Sequence, residues 1–172
     1  RNGHYPQCAE IKERLPGGFA EYILVPEILI KNGTYLLPDS IDYDQSTFIE
    51  PLACVVRAQR LARVKKGQTV LVIGCGMSGL LNVKLAVTKG CRIIASDINR
   101  KKLDIALEMG AHIAINAADD ISKRLVDQTG RKADIVFLCA SADAAVEQAW
   151  QCVDKGGVIV LFAVPAPDKK VV

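Results

Sequence analysis

The apolar and polar positions of the chain follow two different patterns. From residue 69 onwards, short apolar runs of strand length alternate with longer stretches that mix polar and apolar residues at helical spacing. These runs predict strands over residues 69–73, 92–96, 113–116, 134–138 and 158–163, with helices over 77–89, 100–109, 120–129 and 142–153. Strands separated by helices run parallel with right-handed crossovers. This part of the chain therefore predicts a doubly wound α/β sheet.

The first forty residues have a different pattern of apolar and polar positions. Residues 19–25 and 28–37 alternate or run apolar, and the runs are bounded by Gly18, Pro26 and Pro38. Short antiparallel strands have this signature. These residues are therefore predicted to form the end of a β-rich unit.

A composition typical of helices begins after residue 43. It covers residues 44–49 and 52–64, and Pro51 is expected to break or restart the helix between them. We place the domain boundary at this proline. Residues 1–50 are expected in one domain and residues 51–172 in another.

Length and charge narrow the possible functions. Half of the 172 residues are apolar and 24% are charged, which is enough to bury one good core and argues against disorder. The net charge of +3 is scattered along the chain, so it gives no support to nucleic-acid binding. The apolar runs fall short of the roughly 20 residues that a membrane span needs. We expect a soluble protein, and because the chain opens at Arg1 without a methionine, we also expect further sequence upstream.

Cysteine usage points to a reducing compartment. The six cysteines are dispersed through the α/β pattern and are not packed into a short disulfide framework, so reduced thiols and a cytoplasmic location are expected. Four of them are predicted to be small buried hydrophobes, namely Cys75, Cys91, Cys139 and Cys152. The two histidines, His4 and His112, are expected to have packing or solvent roles.

A glycine-rich turn follows the first predicted strand. Gly74, Gly76 and Gly79 have the spacing G-x-G-x-x-G, with Met77 and Ser78 between the last two. In such a turn, the first glycine bends the chain, the second lets a pyrophosphate approach the backbone, and the third lets the helix pack close to the strand. The helix that follows would offer free N–H groups to the phosphates. A purely structural turn is the alternative, but the position between strand and helix favours a dinucleotide site, in a sheet that would have six strands when complete.

An acidic residue ends the second predicted strand. Asp97 lies eighteen residues beyond Gly79, where a carboxylate can accept hydrogen bonds from both ribose hydroxyls of a dinucleotide. A carboxylate there favours NAD over NADP, because it repels a 2′-phosphate. The alternative is that Asp97 caps the next helix, but Asn99 is the better candidate for that cap.

Four motifs together resemble the medium-chain dehydrogenase/reductase family, and most of all its zinc-dependent sorbitol and threonine dehydrogenase branch. They are Gly17-Gly18-Phe19-Ala20-Glu21-Tyr22, Phe48-Ile49-Glu50-Pro51-Leu52-Ala53-Cys54, the glycine turn, and Ser96-Asp97-Ile98-Asn99. The resemblance covers essentially the whole chain. It implies a Rossmann domain that binds NAD, preceded by the β-rich tail of a GroES-like catalytic domain.

The resemblance also implies roles for individual residues. It implies that the cofactor is bound by Gly74, Gly76, Met77, Ser78, Gly79, Asp97, Asn99, Lys102, Cys139, Ala140, Phe162, Ala163 and Val164. Glu50 matches a late ligand of the catalytic zinc, and Cys8 matches the last of four cysteines that hold a structural zinc. Ala163 stands where many relatives have glycine, which is expected to crowd the nicotinamide side slightly.

The reaction that the resemblance implies is hydride transfer from a secondary alcohol or polyol to NAD, with zinc polarising the alcohol. The family's early cysteine and Gly-His-Glu motif are absent, so this chain by itself is expected to bind NAD without turnover. A homo-oligomer is expected from the family. Two alternatives stay open, a zinc-free quinone or enoyl reductase and a non-catalytic NAD-binding module.

Overall fold

The computed structural model describes residues 18–163, which divide by their contacts into one unit that ends at Ile41 and another that begins at Asp42. Among these residues, no helix is long and apolar enough to cross a membrane. The helices are α1 (Glu27–Gly33), α2 (Tyr43–Ser46), α3 (Ile49–Leu61), α4 (Met77–Thr88), α5 (Arg100–Glu108), α6 (Ile121–Thr129) and α7 (Asp143–Cys152). The strands are β1 (Thr69–Ile73), β2 (Arg92–Asp97), β3 (Ile113–Asn116), β4 (Ala133–Leu138) and β5 (Val153–Leu161).

The first unit contains a helix where strands were expected. Residues 18–41 form no strand, and α1 follows Pro26 directly. The prediction of strands over 19–25 and 28–37, and with it the β-rich character of this segment, was therefore wrong. Pro26 sets a backbone angle compatible with a helix start, and Glu27 places a negative charge at the positive end of the helix dipole. An ion pair between Glu27 and Lys31, one turn apart, adds to the same conformation.

The second unit is built on a five-stranded sheet of order β3-β2-β1-β4-β5. All four pairings are parallel, with β1 at the centre between β2 and β4. The doubly wound sheet predicted from the alternating pattern is confirmed. Its predicted strand 113–116 coincides with β3, and the predicted limits of the other strands agree closely except at β5.

The start of β5 differs from the prediction. The helix expected to reach residue 153 ends at Cys152, and the strand begins immediately at Val153. The register with β4 then shifts between Ala133 and Ile135, which marks an irregularity in the first half of β5. Gly156 has a φ of 76° within this stretch. The sequence Asp-Lys-Gly-Gly is typical of a turn, but here it belongs to the irregular first half of β5.

Two cores cover the two faces of the sheet. Val70 and Val72 of β1 pack in one core with residues of α4 and α5, while Leu71 and Ile73 pack in the other with residues of α6 and α7. This alternation follows from the period of two along a strand. Because both faces are covered, β1 is buried along its whole length.

The helix α3 precedes the sheet and packs against α4. It begins at Ile49, two residues before Pro51, and continues through Pro51, so a helix restarts close to the proline, as one of the two expectations had it, but does not break at it. Pro51 lies in the first turn, where a backbone N–H has no partner within the helix and its loss costs little. The contact division falls after Ile41, and the domain boundary at Pro51 stays a prediction.

Candidate functional site

The glycine turn lies between β1 and α4. Gly74 has a φ of 95°, a conformation that side chains rarely adopt. A Cβ built on it would lie 2.9 Å from the carbonyl carbon of Cys139 and 3.0 Å from the Cβ of Ala140. The turn therefore packs directly on the chain that leaves β4, and only glycine allows this approach.

The other two glycines differ in what surrounds them. A Cβ on Gly79 would lie 1.8 Å from the carbonyl oxygen of Gly74, so the first turn of α4 touches the turn that precedes it. A Cβ on Gly76 would meet nothing within 4 Å. Gly76 is also the N-cap of α4, and no side-chain hydrogen bond caps this helix. The start of α4 thus combines N–H groups that no side chain caps with open space beside Gly76, and we call this place the cradle, since it suits a pyrophosphate.

Asp97 is fixed beside this cradle. Only 8% of the residue is exposed. Its Oδ2 accepts a hydrogen bond from the Cys75 N–H at 2.7 Å, and its Oδ1 accepts one from the Asn99 N–H at 2.8 Å. The carboxylate therefore joins the glycine turn to the start of α5, and each oxygen keeps a lone pair for a ligand.

The cap of α5 is Asn99 and not Asp97. The Asn99 Oδ1 accepts hydrogen bonds from the N–H groups of Lys101 and Lys102. This confirms the assignment of the cap made from the sequence, and it commits the Asn99 oxygen to the helix. Arg100 forms an ion pair with Asp104 one turn further on, with Nε and Oδ1 3.1 Å apart.

Two cysteine thiols are part of the same edge. Burial raises the pKa of Cys75 to about 12, the Asp97 carboxylate adds to the rise, and the Lys102 ammonium opposes it. Burial also raises the pKa of Cys139 to about 12. Both thiols stay protonated near neutral pH, so neither is an activated nucleophile.

Three neighbouring strands end at the cradle. The Cys139 N–H donates to the Ile73 carbonyl at 2.8 Å, and the N–H groups of Phe162 and Ala163 both donate to the Leu138 carbonyl at 3.0 Å. The ends of β1, β4 and β5 are thereby brought to one edge of the sheet. Ligands of doubly wound sheets bind at this carboxyl edge. Cys8 and Val164 lie outside the described residues.

Glu50 has a different environment. It is exposed in the first turn of α3 and accepts a hydrogen bond from the Cys54 thiol at 3.2 Å. This bond is the main reason that the pKa of Cys54 is raised. Over residues 18–163, no group of three or more His, Cys, Asp or Glu side chains has the arrangement of a metal site. Among these residues, Glu50 is therefore not part of a group that could hold a metal by itself.

One buried feature at this site was not found from the sequence. Asn82 of α4 is fully buried beneath the turn, and Gln59 of α3 is fully buried against it. The signal was available, since Asn82 interrupts the apolar sequence Leu80-Leu81-Asn82-Val83. Its meaning depends on the packing of α3 on α4, which the hydrophobic pattern does not specify.

Comparison with known proteins identifies the relatives of the chain. The family model of zinc-binding dehydrogenases matches residues 79–172, which is more than half of the chain. The chain is also 31% identical over 150 residues to (R,R)-butanediol dehydrogenase from Bacillus subtilis (strain 168), covering 86% of this chain and 42% of that protein.

Solved structures give the same relationship. Galactitol-1-phosphate dehydrogenase from Escherichia coli matches with a TM-score of 0.75 and 28% identity, over 91% of this chain and 45% of that one. A structure described as a zinc-binding dehydrogenase from Sinorhizobium meliloti 1021 bound to NADP matches with a TM-score of 0.73 and 31% identity, over 78% of this chain and 41% of that one. The chain spans less than half of the length of each of these three proteins. The resemblance stated from the motifs is confirmed, and the chain belongs to the zinc-binding dehydrogenase family.

Proposed function

We propose that this chain binds a nicotinamide dinucleotide across the carboxyl edge of its sheet, as the cofactor-binding part of an oxidoreductase that acts on a secondary alcohol or polyol. One observation carries the proposal: the open cradle over Gly76 lies beside a carboxylate, Asp97, that is already fixed in place. The names of the relatives, which are butanediol and galactitol-1-phosphate dehydrogenases, support the class of substrate.

The chain's own residues would position the cofactor. The N–H groups at the start of α4 would bind the pyrophosphate, since a helix N-terminus attracts negative charge. The free lone pairs of Asp97 would accept the hydroxyls of the adenosine ribose. The ends of β4 and β5, from Cys139 to Ala140 and from Phe162 to Ala163, would form the wall along the rest of the cofactor. When bound, the nicotinamide supplies the hydride acceptor.

A preference for NAD over NADP belongs to this proposal. A 2′-phosphate would bring negative charge against Asp97, whereas a free hydroxyl would donate to it. Arg100 is the nearest arginine in sequence that could neutralise a phosphate, and Asp104 holds it in an ion pair. A penalty of about 3 kcal/mol corresponds to roughly a hundredfold preference. The NADP-bound relative makes the comparison of the two cofactors a necessary test.

Titration of the chain with NADH and NADPH tests the proposal. We expect binding of NADH, much weaker binding of NADPH, and loss of NADH binding in Gly76→Val, whose side chain would fill the cradle. Since a Cβ at Gly76 meets nothing within 4 Å, this variant should keep the melting temperature of the wild type. Equal NADH affinity in the wild type and in Gly76→Val would disprove the site, and equal affinity for both cofactors in the wild type would disprove the preference.

Zinc is the second part of the proposed reaction. Glu50 would supply one oxygen ligand at the substrate side, an acceptable donor for zinc, and Cys8 would contribute to a structural zinc. Because Glu50 alone is too few ligands, we expect the chain by itself to show no zinc-dependent turnover. In the complete enzyme, Glu50→Ala should lower bound zinc and turnover while the melting temperature stays unchanged. Full zinc occupancy and normal turnover in that variant would make Glu50 an ordinary helix-start residue.

Assembly and location complete the proposal. We expect a homo-oligomer, as the resemblance to the dehydrogenase family implies. A cytoplasmic location is expected from the dispersed, reduced cysteines. Light scattering of the purified protein tests the first expectation, and a monomer at micromolar concentration would contradict it.

A further inference from the structure

Two buried amide side chains connect α3 to α4 directly beneath the glycine turn. Gln59 and Asn82 are both fully buried. The Gln59 Nε2 donates to the backbone oxygen of Asn82 at 2.9 Å and approaches its Oδ1 at 3.3 Å. The Asn82 Nδ2 in turn donates to the Ser78 carbonyl at 3.0 Å and contacts the Cys139 Sγ at 3.8 Å. Asn82 therefore touches α3, the first turn of α4 and the end of β4.

The orientation of both amides follows from the backbone. A carbonyl oxygen only accepts hydrogen bonds, so the Ser78 carbonyl requires the Asn82 nitrogen. That leaves the Asn82 Oδ1 and backbone oxygen facing Gln59, and both require the Gln59 nitrogen. Neither amide can be flipped without placing oxygen against oxygen.

This arrangement leaves one oxygen without a partner. The Gln59 Oε1 is buried and accepts no hydrogen bond from any described residue. A buried unsatisfied acceptor costs about 1–3 kcal/mol, and an apolar pair of the same shape avoids that cost. Stability of the α3–α4 contact therefore does not explain why amides occupy these two positions.

The position of Asn82 suggests what it does. The cradle has two walls, the first turn of α4 and the chain that leaves β4, which Gly74 already contacts at Cys139. Asn82 donates a hydrogen bond to the Ser78 carbonyl in the first wall and contacts the Cys139 thiol in the second. From α3, Gln59 donates a hydrogen bond to Asn82. Motion of Ser78 would turn the N–H groups at the start of α4 away from a bound phosphate.

We infer that Asn82, held by Gln59, is a positioning residue that aims the start of α4 at the cofactor pyrophosphate. The inference rests on the proposed binding of a dinucleotide. It also gives α3, whose first turn carries Glu50, a direct polar connection to the cofactor cradle.

The test uses the chain with ADP-ribose as the probe, because ADP-ribose contains the pyrophosphate and both riboses but no nicotinamide. Three variants are compared by melting temperature and by calorimetric affinity: Asn82→Leu, Gln59→Met, and the two together. We expect Asn82→Leu to weaken the binding of ADP-ribose about tenfold, because it removes the side-chain hydrogen bonds that Asn82 makes at the start of α4. The double variant should recover the melting temperature of the wild type, since both polar partners are gone, but should still bind ADP-ribose about tenfold more weakly.

This design separates positioning from packing. If the double variant recovers affinity together with stability, the pair is only a packing contact and the inference is overturned. It is equally overturned if Asn82→Leu binds ADP-ribose within twofold of the wild type. Should Asn82→Leu fail to fold, Asn82→Thr replaces it, since a threonine hydroxyl can bond the carbonyl four residues earlier but cannot reach Gln59 in the same way; it should bind with intermediate affinity. A wild type that binds no ADP-ribose would refute the proposed function itself.

Discussion

Two carboxylates mark the two sides of the proposed reaction, and their surroundings are opposite. Asp97 is buried at the edge of the sheet and is held by two backbone N–H groups. Glu50 is exposed on the first turn of α3, where it accepts a hydrogen bond from the Cys54 thiol. The first carboxylate is organised before any ligand arrives, because the fold itself orients it. The second can change its orientation at little cost, as suits a ligand that other groups must complete.

The difference teaches where binding energy would come from. At the cofactor edge, the glycine turn, Asp97 and the ends of three strands are fixed by hydrogen bonds that form on folding, so a ligand need not order them. At the start of α3, the cost of ordering the Glu50 side chain would have to be offset by the binding energy of a metal or substrate. Changes to a group that these hydrogen bonds hold, such as Asp97, should therefore affect stability and binding together, and changes at Glu50 should affect binding alone.

The largest expected effect is a difference in stability between variants of two glycines in the turn, Gly79 and Gly76. Gly79→Ala would place a Cβ 1.8 Å from the Gly74 carbonyl oxygen, so α4 or the turn must move. We expect a loss of about 3 kcal/mol in the free energy of unfolding, at the upper end for an overpacked site. Gly76→Ala is the matched control, since its Cβ meets nothing within 4 Å, and it should stay within about 0.5 kcal/mol of the wild type. Urea unfolding of both variants measures the difference, and equal stabilities would show that the turn and helix are not in the contact described.

The next effect concerns the charge of Asp97. Asp97→Asn keeps the shape but accepts through one oxygen only, so one of the Cys75 and Asn99 N–H groups loses its acceptor. We expect a stability loss of about 2 kcal/mol and a fall in the NADH over NADPH preference from roughly a hundredfold to a few-fold. Asp127→Asn is the control, because it removes an equal charge from an exposed position on α6; it should change stability by less than about 0.5 kcal/mol and leave the cofactor preference unchanged. A preference that survives in Asp97→Asn would mean that another group reads the ribose.

The sequence predicted the sheet well and the first unit poorly, for physical reasons. The central strand β1 is buried on both faces, so its short apolar run predicts a buried strand. The run Ile28-Leu29-Ile30 is exposed, and its apolar residues fit a strand or a helix equally, so only Pro26 and Glu27 indicated a helix start. The glycine turn and Asp97 were found because local geometry demands those residue types. Gln59 and Asn82 were missed because they lie on different helices, 23 residues apart in the sequence. Their contact depends on how α3 packs on α4.

A third prediction uses the raised pKa of the half-buried Cys139 thiol at the organised edge. Burial raises the pKa of Cys139 to about 12, whereas an unfolded thiol ionises near its ordinary value of 9.0. The unfolded chain therefore releases this proton first as the pH rises. The stability that the thiol contributes is complete below pH 9 and is lost progressively towards pH 12. Between pH 8 and pH 11, the free energy of unfolding should fall more steeply in the wild type than in Cys139→Ala, and parallel curves would show that the pKa of this thiol is not raised.

The smallest effect concerns Glu50 and sharpens the contrast with Asp97. The hydrogen bond from the Cys54 thiol to Glu50, followed by burial and the Glu50 charge, raises the pKa of Cys54. Glu50→Gln removes the charge and weakens the acceptor, so more of the thiol is ionised at pH 8, and its reaction with a disulfide reagent should be several-fold faster, because the thiolate is the reacting form. The free energy of unfolding should change by less than about 0.5 kcal/mol, as for most exposed positions. Glu147→Gln, an exposed change on α7, should leave the rate unchanged. An unchanged rate in Glu50→Gln would show that the carboxylate does not hold the thiol, and a large loss of stability would show that Glu50 is as organised as Asp97.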